Sequence, residues 1–306
     1  MFWNRRKTMK LSEAITMVNR VVRPKKPDWY SRPVDRLIAD IGDIDIRSVT
    51  PDMVTNWFND LSRHGMSLRH PGKKLSAWTI DCYARGLKAF FNHLVRMGHL
   101  NRSPVEYRLN RLPKKAKKDI SEEDLGKMVL KSKYNARDYA IVCILRDSGC
   151  RVSGLISMRI TALHITRHTA EDGSVTLRGR ALVNEKGDKG RYIFFGDEAC
   201  RALRQYLDSR PFDAVDDVLW VNNKGVPLTR SGVGQMLKRV ARYAGVTGHC
   251  NPHAFRHAFA KRLLSQNAPA KVIQELMGHE DVTTTMNMYV VLDDEELESY
   301  HRKYVK

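Results

Sequence analysis

The chain has 306 residues, of which 42% are hydrophobic, and its formal net charge at neutral pH is +19. This length and this hydrophobic content are typical of two folded domains and exclude a chain that is disordered throughout. It has no run of eighteen or more apolar residues and no apolar secretory signal, so we expect neither a membrane-spanning helix nor a membrane partner. The five scattered cysteines include no CxxC pair, which favours a cytoplasmic location.

The positive charge is concentrated near the N-terminus. Residues 1–118 carry 25 Lys and Arg against 10 Asp and Glu, a net of +15, whereas residues 119–306 carry 28 against 24, a net of +4. Such a surplus attracts polyanions: nucleic acid is the first candidate, an anionic membrane surface the second, and a merely soluble basic protein remains the alternative. The distribution predicts a phosphate-gripping N-terminal domain joined to a nearly neutral domain with another task.

Apolar residues at helical spacing predict an all-helical N-terminal domain over residues 1–112. Three helices are predicted, over residues 11–22, 50–61 and 76–97. Pro51 occupies the first turn of the second helix, where its missing N–H costs nothing, and Gly98 stops the third. Amphipathic helices of this kind usually pack a core, so this pattern alone says nothing about DNA.

Residues 113–119 form a predicted basic linker, either a solvated tether or a strap across a phosphate backbone. In residues 120–306, Ser121 is a predicted helix N-cap followed by acidic residues. Further helices are predicted over residues 136–148, 198–209, 229–244, 252–266 and 270–277, and strands over residues 161–166, 175–183 and 191–195. We therefore expect a mainly α protein with one small antiparallel sheet, an α+β fold.

Several segments of the second domain carry residue types suited to phosphate chemistry. Cleaving a phosphodiester without metal or ATP requires a nucleophile, cationic donors around the non-bridging oxygens, and groups that accept and donate protons. Arg151 follows a glycine break after an apolar helix, and His253 and Arg256 share a helical face at i, i+3 spacing. Arginine suits a phosphate clamp because its fork binds two oxygens and stays charged.

These segments resemble the tyrosine recombinase (phage integrase) family. The family pattern is Gly-Xaa-Arg-Xaa-Ser-Xaa-Leu, a lysine in a β-hairpin, His-Xaa-Xaa-Arg, Gly-His and a terminal tyrosine. The chain supplies them in the same order, as Gly149–Leu155, Lys186, His253 with Arg256, Gly278-His279 and Tyr289. By this resemblance, residues 1–112 are expected to be a helical DNA core-binding domain and residues 120–306 a catalytic domain with a C-terminal tail.

The resemblance implies a role for each of these residues around the scissile phosphate. Arg151 and Arg256 clamp the phosphate. Lys186, in a turn rich in glycine, is the general acid that protonates the departing 5′ oxygen. His253 helps to accept the proton of the nucleophile and positions the phosphate.

By the same resemblance, His279 donates to a non-bridging oxygen and Tyr289 attacks the phosphorus, which gives a 3′-phosphotyrosyl link. That link conserves the bond energy, so no cofactor and no metal is expected. The implied function is site-specific DNA recombination or integration, as in a mobile element, by a DNA-associated enzyme. The implied partners are double-stranded DNA, further copies of the chain in a synaptic homotetramer, and accessory DNA-bending proteins where the site requires them.

One departure from the family pattern concerns Arg151. The family commonly has an acidic residue three positions after this arginine, where the chain has Gly154. The support for Arg151 is therefore either absent or supplied by a carboxylate elsewhere, for which Asp147 is the candidate. The alternative for Arg151 itself is an ordinary surface arginine or an ion pair with Asp147.

A second departure concerns the nucleophile. Tyr289 follows His279 by ten residues, where the family more often has nine, so Tyr300 and Tyr304 stay open as alternatives. Lys189 competes in the same way for the role of general acid. The expected active site therefore departs from the family spacing at its C-terminal end.

Other functions also fit parts of the sequence. A metal cluster could use His249, Cys250, His253 and His257, but no glutamate lies between the last two as a metalloprotease helix requires. A type IB topoisomerase-like nicking-closing enzyme would use the same chemistry, and a non-catalytic DNA-binding regulator could have the same fold. The complete set of residues favours an enzyme over a regulator.

Overall fold

The structure is a computed structural model that describes residues 8–22, 28–67, 72–106, 120–185, 190–211 and 217–278. In these ranges the chain has eleven α-helices and one three-stranded antiparallel sheet, which confirms the predicted fold class. The chain divides into two compact units, Met1–Lys115 and Ala116–Lys306. The predicted linker, residues 113–119, lies outside the described residues. None of the described helices combines the length and the apolar character needed to cross a bilayer.

The N-terminal unit is helical. Its helices are α1 (Leu11–Val22), α2 (Asp28–Ile41), α3 (Pro51–His64) and α4 (Ala77–Arg96). Their apolar faces share one core, in which Phe58, Phe90 and Phe91 are fully buried. The predicted starts of α3 and α4 agree with the structure, because the side chains of Thr50 and Ser76 cap these helices.

Helix α2 is the longer of the two described helices that the sequence does not predict, the other being Val152–Ile156. Pro33 lies inside it, and proline lacks the N–H that would bond the carbonyl of Trp29. That carbonyl faces Gly86 of α4, where an added Cβ would lie 2.6 Å from the oxygen. The two helices therefore approach closely at a position that only glycine allows, and tertiary packing outweighs the local breaker signal.

The second unit surrounds a buried helix. Its helices are α5 (Glu122–Ser132), α6 (Ala136–Ser148), α7 (Val152–Ile156), α8 (Asp197–Asp208), α9 (Arg230–Tyr243), α10 (Pro252–Ser265) and α11 (Ala270–Met277). Helix α6 is apolar on nearly every face and lies at the centre of the core. Ser121 accepts a hydrogen bond from the N–H of Asp124 at 3.0 Å, as its predicted capping role requires.

The sheet consists of β1 (Leu163–Thr169), β2 (Val175–Asn184) and β3 (Gly190–Phe195), in that spatial order. Alternate residues of β2 are buried, which places one face of the sheet on the core. Asn184 pairs with Gly190, so residues 185–189 connect β2 to β3. Residues 186–189 of this connection lie outside the described residues.

Gly149 ends α6 and sets the direction of the chain into the next helix. Its φ is +54°, in the left-handed region, and its N–H donates to the carbonyl of Leu145. A Cβ at this position would lie 2.5 Å from the ring of Phe259 in α10. Both the backbone conformation and the packing therefore require glycine two residues before Arg151.

We predict that Gly149→Ala lowers the free energy of unfolding by about 2–4 kcal/mol, because it combines left-handed strain with overpacking against Phe259. Gly173→Ala is the matched control, since Gly173 also has a positive φ (+79°) but no atom within 4 Å of an added Cβ. It should cost only the strain, about 1–2 kcal/mol. Urea denaturation measures both variants, and equal losses would contradict the role of Phe259.

Candidate active site

Arg151 directly follows the turn at Gly149 and Cys150 and occupies the N-cap position of α7. Its side chain is 31% exposed. Its Nη1 donates to the carbonyl of Gly278 at 3.1 Å and also pairs with the carboxylate of Glu185. The turn that ends α6 thus places Arg151 beside the C-terminal end of α11, although Arg151 and Gly278 are 127 residues apart in sequence.

Arg256 lies on α10 and is only 5% exposed. Its Nη1 donates to the carbonyl of Gly149 at 2.9 Å, and its Nη2 donates to the carbonyl of Met277. One guanidinium fork therefore connects the turn that carries Arg151 to the C-terminal end of α11. Arginine suits this bridge because its donors diverge in a fixed plane.

Arg191, at the start of β3, is a third arginine at this place, and the sequence does not predict it. Its Nη1 donates to the carbonyl of Leu276 at 2.9 Å, and its Nη2 donates to Glu185 Oε1 at 3.1 Å. Three successive carbonyls, those of residues 276–278, thus each accept from a different arginine. The C-terminal end of a helix carries partial negative charge, which favours cations there.

Glu185 is the carboxylate among these arginines, and its side chain is 7% exposed. Burial acts to raise the pKa of Glu185. The hydrogen bond and charge of Arg191, with the charges of Arg151 and Arg256, outweigh burial and hold the pKa below its ordinary value. Glu185 is therefore ionised at neutral pH.

We call Arg151, Arg191, Arg256 and Glu185 the arginine cluster. Three arginines and one glutamate give it a formal charge of +2. Burial first, and then the neighbouring charge of Arg151, lower the pKa of Arg256 to about 9, which leaves it protonated at neutral pH. A partly buried surplus of positive charge attracts anions strongly, because solvent screens it less than charge on an open surface.

The structure brings together only part of the predicted site. Arg151 and Arg256 converge, and His253 lies one turn before Arg256 on α10, with an exposed side chain. The other predicted catalytic residues, Lys186, His279 and Tyr289, lie outside the described residues, as do the alternatives Lys189, Tyr300 and Tyr304.

Comparison with known proteins decides the family. A sequence model of the phage integrase family matches residues 96–296. The XerD tyrosine recombinase of Listeria monocytogenes is 32% identical over 228 residues, which cover 71% of this chain and 72% of that protein. The XerC tyrosine recombinase of Lactobacillus delbrueckii subsp. bulgaricus is 30% identical over 224 residues, which cover 70% of this chain and 72% of that protein.

The chain belongs to the phage integrase family. It is a site-specific tyrosine recombinase, and the assignment made from the sequence motifs is confirmed.

Solved structures share the fold of this recombinase. The Tn1549 transposon integrase, solved with transposon right end DNA, matches 97% of this chain and 100% of that chain at a TM-score of 0.72 and 19% identity. The XerH recombinase, solved with its difH substrate, matches 95% of this chain and 84% of that chain at a TM-score of 0.67 and 19% identity. At this identity the likeness establishes the fold.

The expectation that Asp147 supports Arg151 is wrong. Asp147 accepts from Arg146 Nε at 2.8 Å and from the N–H of Gly196 at 3.0 Å. Near the end of α6 the helical phase turns this carboxylate toward the start of α8, away from Arg151. Glu185 is the carboxylate that pairs with Arg151. The sequence gives no local signal for this pairing because the partners are 34 residues apart on different elements.

The alternative metal cluster has no structural support. His249, Cys250, His253 and His257 are all described, and among the described residues no three His, Cys, Asp or Glu side chains are grouped so that they could hold a metal ion. The i, i+4 spacing of His253 and His257 on one helix is the feature that suggests this metal cluster. Their helix uses its buried face for the core and for Arg256.

We predict that Arg256→Lys lowers the free energy of unfolding by about 1–3 kcal/mol, because an ammonium cannot reach both carbonyls and one stays without its donor. Arg201→Lys is the matched control: Arg201 pairs with Asp197 at 2.7 Å but is 60% exposed, so its loss should be about 0–1 kcal/mol. Urea denaturation distinguishes the two. Equal losses would show that Arg256 does not bridge the two carbonyls.

Proposed function

We propose that this recombinase cleaves and rejoins duplex DNA through Tyr289, with the scissile phosphate bound at the arginine cluster. The observation that carries the proposal is the convergence of Arg151 and Arg256 on the end of α11, one residue before His279 in the chain. These two arginines come from distant segments and belong to a cluster of net positive charge. Such a cluster suits a phosphodiester better than any neutral ligand.

The proposed reaction is a pair of opposite transesterifications. The phenol oxygen of Tyr289 attacks the phosphorus and forms a P–O bond while the bond to the 5′ oxygen breaks. His253 helps to accept the proton of the phenol, and Lys186 donates a proton to the departing 5′ oxygen. Rejoining reverses each step, with a 5′ hydroxyl as the nucleophile. Atoms and charge balance without a cofactor.

The arginine cluster provides the electrostatic part of catalysis. Negative charge builds up on the non-bridging oxygens as the tyrosine attacks, and donors already in place stabilise it without reorganisation. Among the described residues, Nη1 of Arg151 contacts Glu185 and Gly278, and we propose that Nη2 and Nε donate to the phosphate. The loss of one such donor typically slows the chemical step by about 10²–10³-fold.

Arg256 contributes through its position as well as its charge. Its two Nη atoms hold the carbonyls of Gly149 and Met277, so it fixes the separation between Arg151 and the end of α11. Because it is buried, its positive charge acts at short range on the bound phosphate with little screening. We therefore assign Arg256 both a clamping and a bracing role.

The charge and the relatives support DNA as the partner in the proposed assembly. The Tn1549 integrase and XerH were solved on DNA, and the net charge of +15 in residues 1–118 of this chain supports a DNA core-binding role for the N-terminal unit. We propose a homotetramer on two DNA sites, joined by accessory DNA-bending proteins where the site requires them. The protein then acts in the cytoplasm on chromosomal or mobile-element DNA.

We predict that Tyr289→Phe abolishes the covalent adduct between the protein and a nicked suicide substrate, because it removes the attacking oxygen. Denaturing electrophoresis detects the adduct, and peptide mass mapping locates it. Tyr300→Phe and Tyr304→Phe should keep the wild-type yield. An adduct that persists in Tyr289→Phe would assign the nucleophile to another tyrosine.

The same reaction separates this function from its alternatives. A regulator that only binds DNA forms no adduct on any cognate site. A topoisomerase-like enzyme forms the adduct and relaxes supercoils but produces no recombinant joints between two sites. Recombinant joints in a two-site plasmid assay are the result that we expect.

We predict that the lysines of the linker contribute to DNA binding through phosphate contacts. Replacing Lys114, Lys115, Lys117 and Lys118 by Gln should make the slope of log K against log salt shallower by about 1–3.5, because each phosphate contact contributes about 0.9. Fluorescence anisotropy between low and moderate salt measures the slope. An unchanged slope would show that the segment is only a tether.

A further inference from the structure

We propose that Glu185 is the positioning residue for Arg151 and replaces the acidic side chain that the family pattern places at position 154. The proposal rests on the proposed function, since it concerns the same phosphate clamp. Nothing in the sequence motifs points to Glu185, which precedes the proposed general acid Lys186 by one residue.

The space at Gly154 identifies the exchange. A Cβ added to Gly154 would lie 3.3 Å from Oε1 of Glu185 and 3.4 Å from its Cγ. The carboxylate of Glu185 therefore lies directly beside the place where a side chain at position 154 would begin. A carboxylate attached at either position could reach the same partners, and two carboxylates would compete for one space and repel each other.

The contacts of Glu185 restrict the orientation of Arg151. One carboxylate oxygen pairs with Arg151 Nη1, while the other accepts from the N–H of Arg151 at 3.3 Å and from Arg191 Nη2 at 3.1 Å. A free arginine side chain loses rotamer entropy when it is fixed. Because Glu185 fixes Arg151 before DNA binds, less of this entropy is lost when the phosphate binds.

Ser157 keeps the two positions together. Its Oγ donates to the carbonyl of Gly154 at 2.8 Å and accepts from the N–H of Asn184 at 2.8 Å. It thereby connects α7, which follows Arg151, to the end of β2, which leads into Glu185. The carboxylate is placed by backbone contacts on both sides, as a positioning group requires.

The test measures DNA cleavage with the full chain on a suicide substrate, at saturating protein. Glu185→Gln and Glu185→Ala should slow adduct formation by roughly 10- to 100-fold, because a clamp displaced by about 1 Å loses that much. The DNA dissociation constant should stay within a factor of about two, since most binding comes from other phosphate contacts. A residue with a merely structural role would not slow cleavage while leaving DNA binding unchanged.

The decisive variant moves the carboxylate. Gly154→Glu combined with Glu185→Ala should restore the rate to within a factor of about three of wild type, because transition-state stabilisation returns with the ion pair. Gly154→Glu alone should also cleave more slowly than wild type, because two carboxylates then share one space. A double variant that is folded but as slow as Glu185→Ala overturns the proposal, as does a folded Glu185→Gln with the wild-type rate.

Glu198→Gln is the matched control for losing an ion pair in the same unit. Glu198 pairs with Arg146 at 2.7 Å, away from the arginine cluster, so its variant should cleave at close to the wild-type rate even if its melting temperature falls. If Glu185→Gln and Glu185→Ala unfold while Glu198→Gln does not, the double variant decides. Restored folding and cleavage support the proposal, and any other result overturns it.

A second measurement separates this proposal from the proposed function. If wild-type protein binds DNA but forms no adduct, the proposed function fails. The rate at which phenylglyoxal modifies Arg151, followed by peptide mass mapping, then tests Glu185 alone. Glu185→Gln should speed this modification, and Glu198→Gln should not. An unchanged rate in Glu185→Gln overturns the positioning role.

Discussion

The site depends on one constraint, the satisfaction of the last carbonyls of α11 by arginine side chains. A helix leaves its final carbonyl groups without internal partners, and burial makes such groups costly to leave unpaired. Here the carbonyls of residues 276–278 accept from Arg191, Arg256 and Arg151 in turn. A local requirement of helix termination thereby gathers three distant segments of the chain. In the proposed function, this collected positive charge binds the scissile phosphate.

Charge balance limits how closely these arginines can approach. Like charges repel most strongly where solvent is excluded, and Arg256 already has its pKa lowered by burial and by Arg151. Glu185 offsets part of this repulsion while the formal charge of the cluster stays positive. The ion pairs of Glu185 thus lower the repulsion among the arginines, and the remaining positive charge favours an anionic ligand.

The sequence predicts most of the fold because its signals are local. Capping residues such as Thr50, Ser76 and Ser121, and apolar periodicity, mark the helices closely. Helix α2 is not predicted because Pro33 is normally a helix breaker, and in the structure α2 packs closely against Gly86 of α4. Helix α7 escapes because five residues are too few to show a period.

The candidate site also has a part that the sequence predicts and a part that it does not. Arg151 and Arg256 are predictable because family motifs mark them, whereas the pairing of Glu185 with Arg151 depends on how β2 ends beside α7. Asp147 was the wrong choice because nearness in sequence does not set the direction of a side chain on a helix. Arg191 lacks a motif and becomes visible only when its carbonyl partner at Leu276 is known.

The close approach of Gly154 and Glu185 also has a consequence for chimaeras and for the order of mutations. A segment around α7 taken from a relative with an acid at position 154 would bring a second carboxylate against Glu185. Neither position can therefore be exchanged independently of the other. Any lineage connecting the two arrangements passes through an intermediate with two carboxylates or with none, so the two positions should change together when such enzymes are recombined in the laboratory.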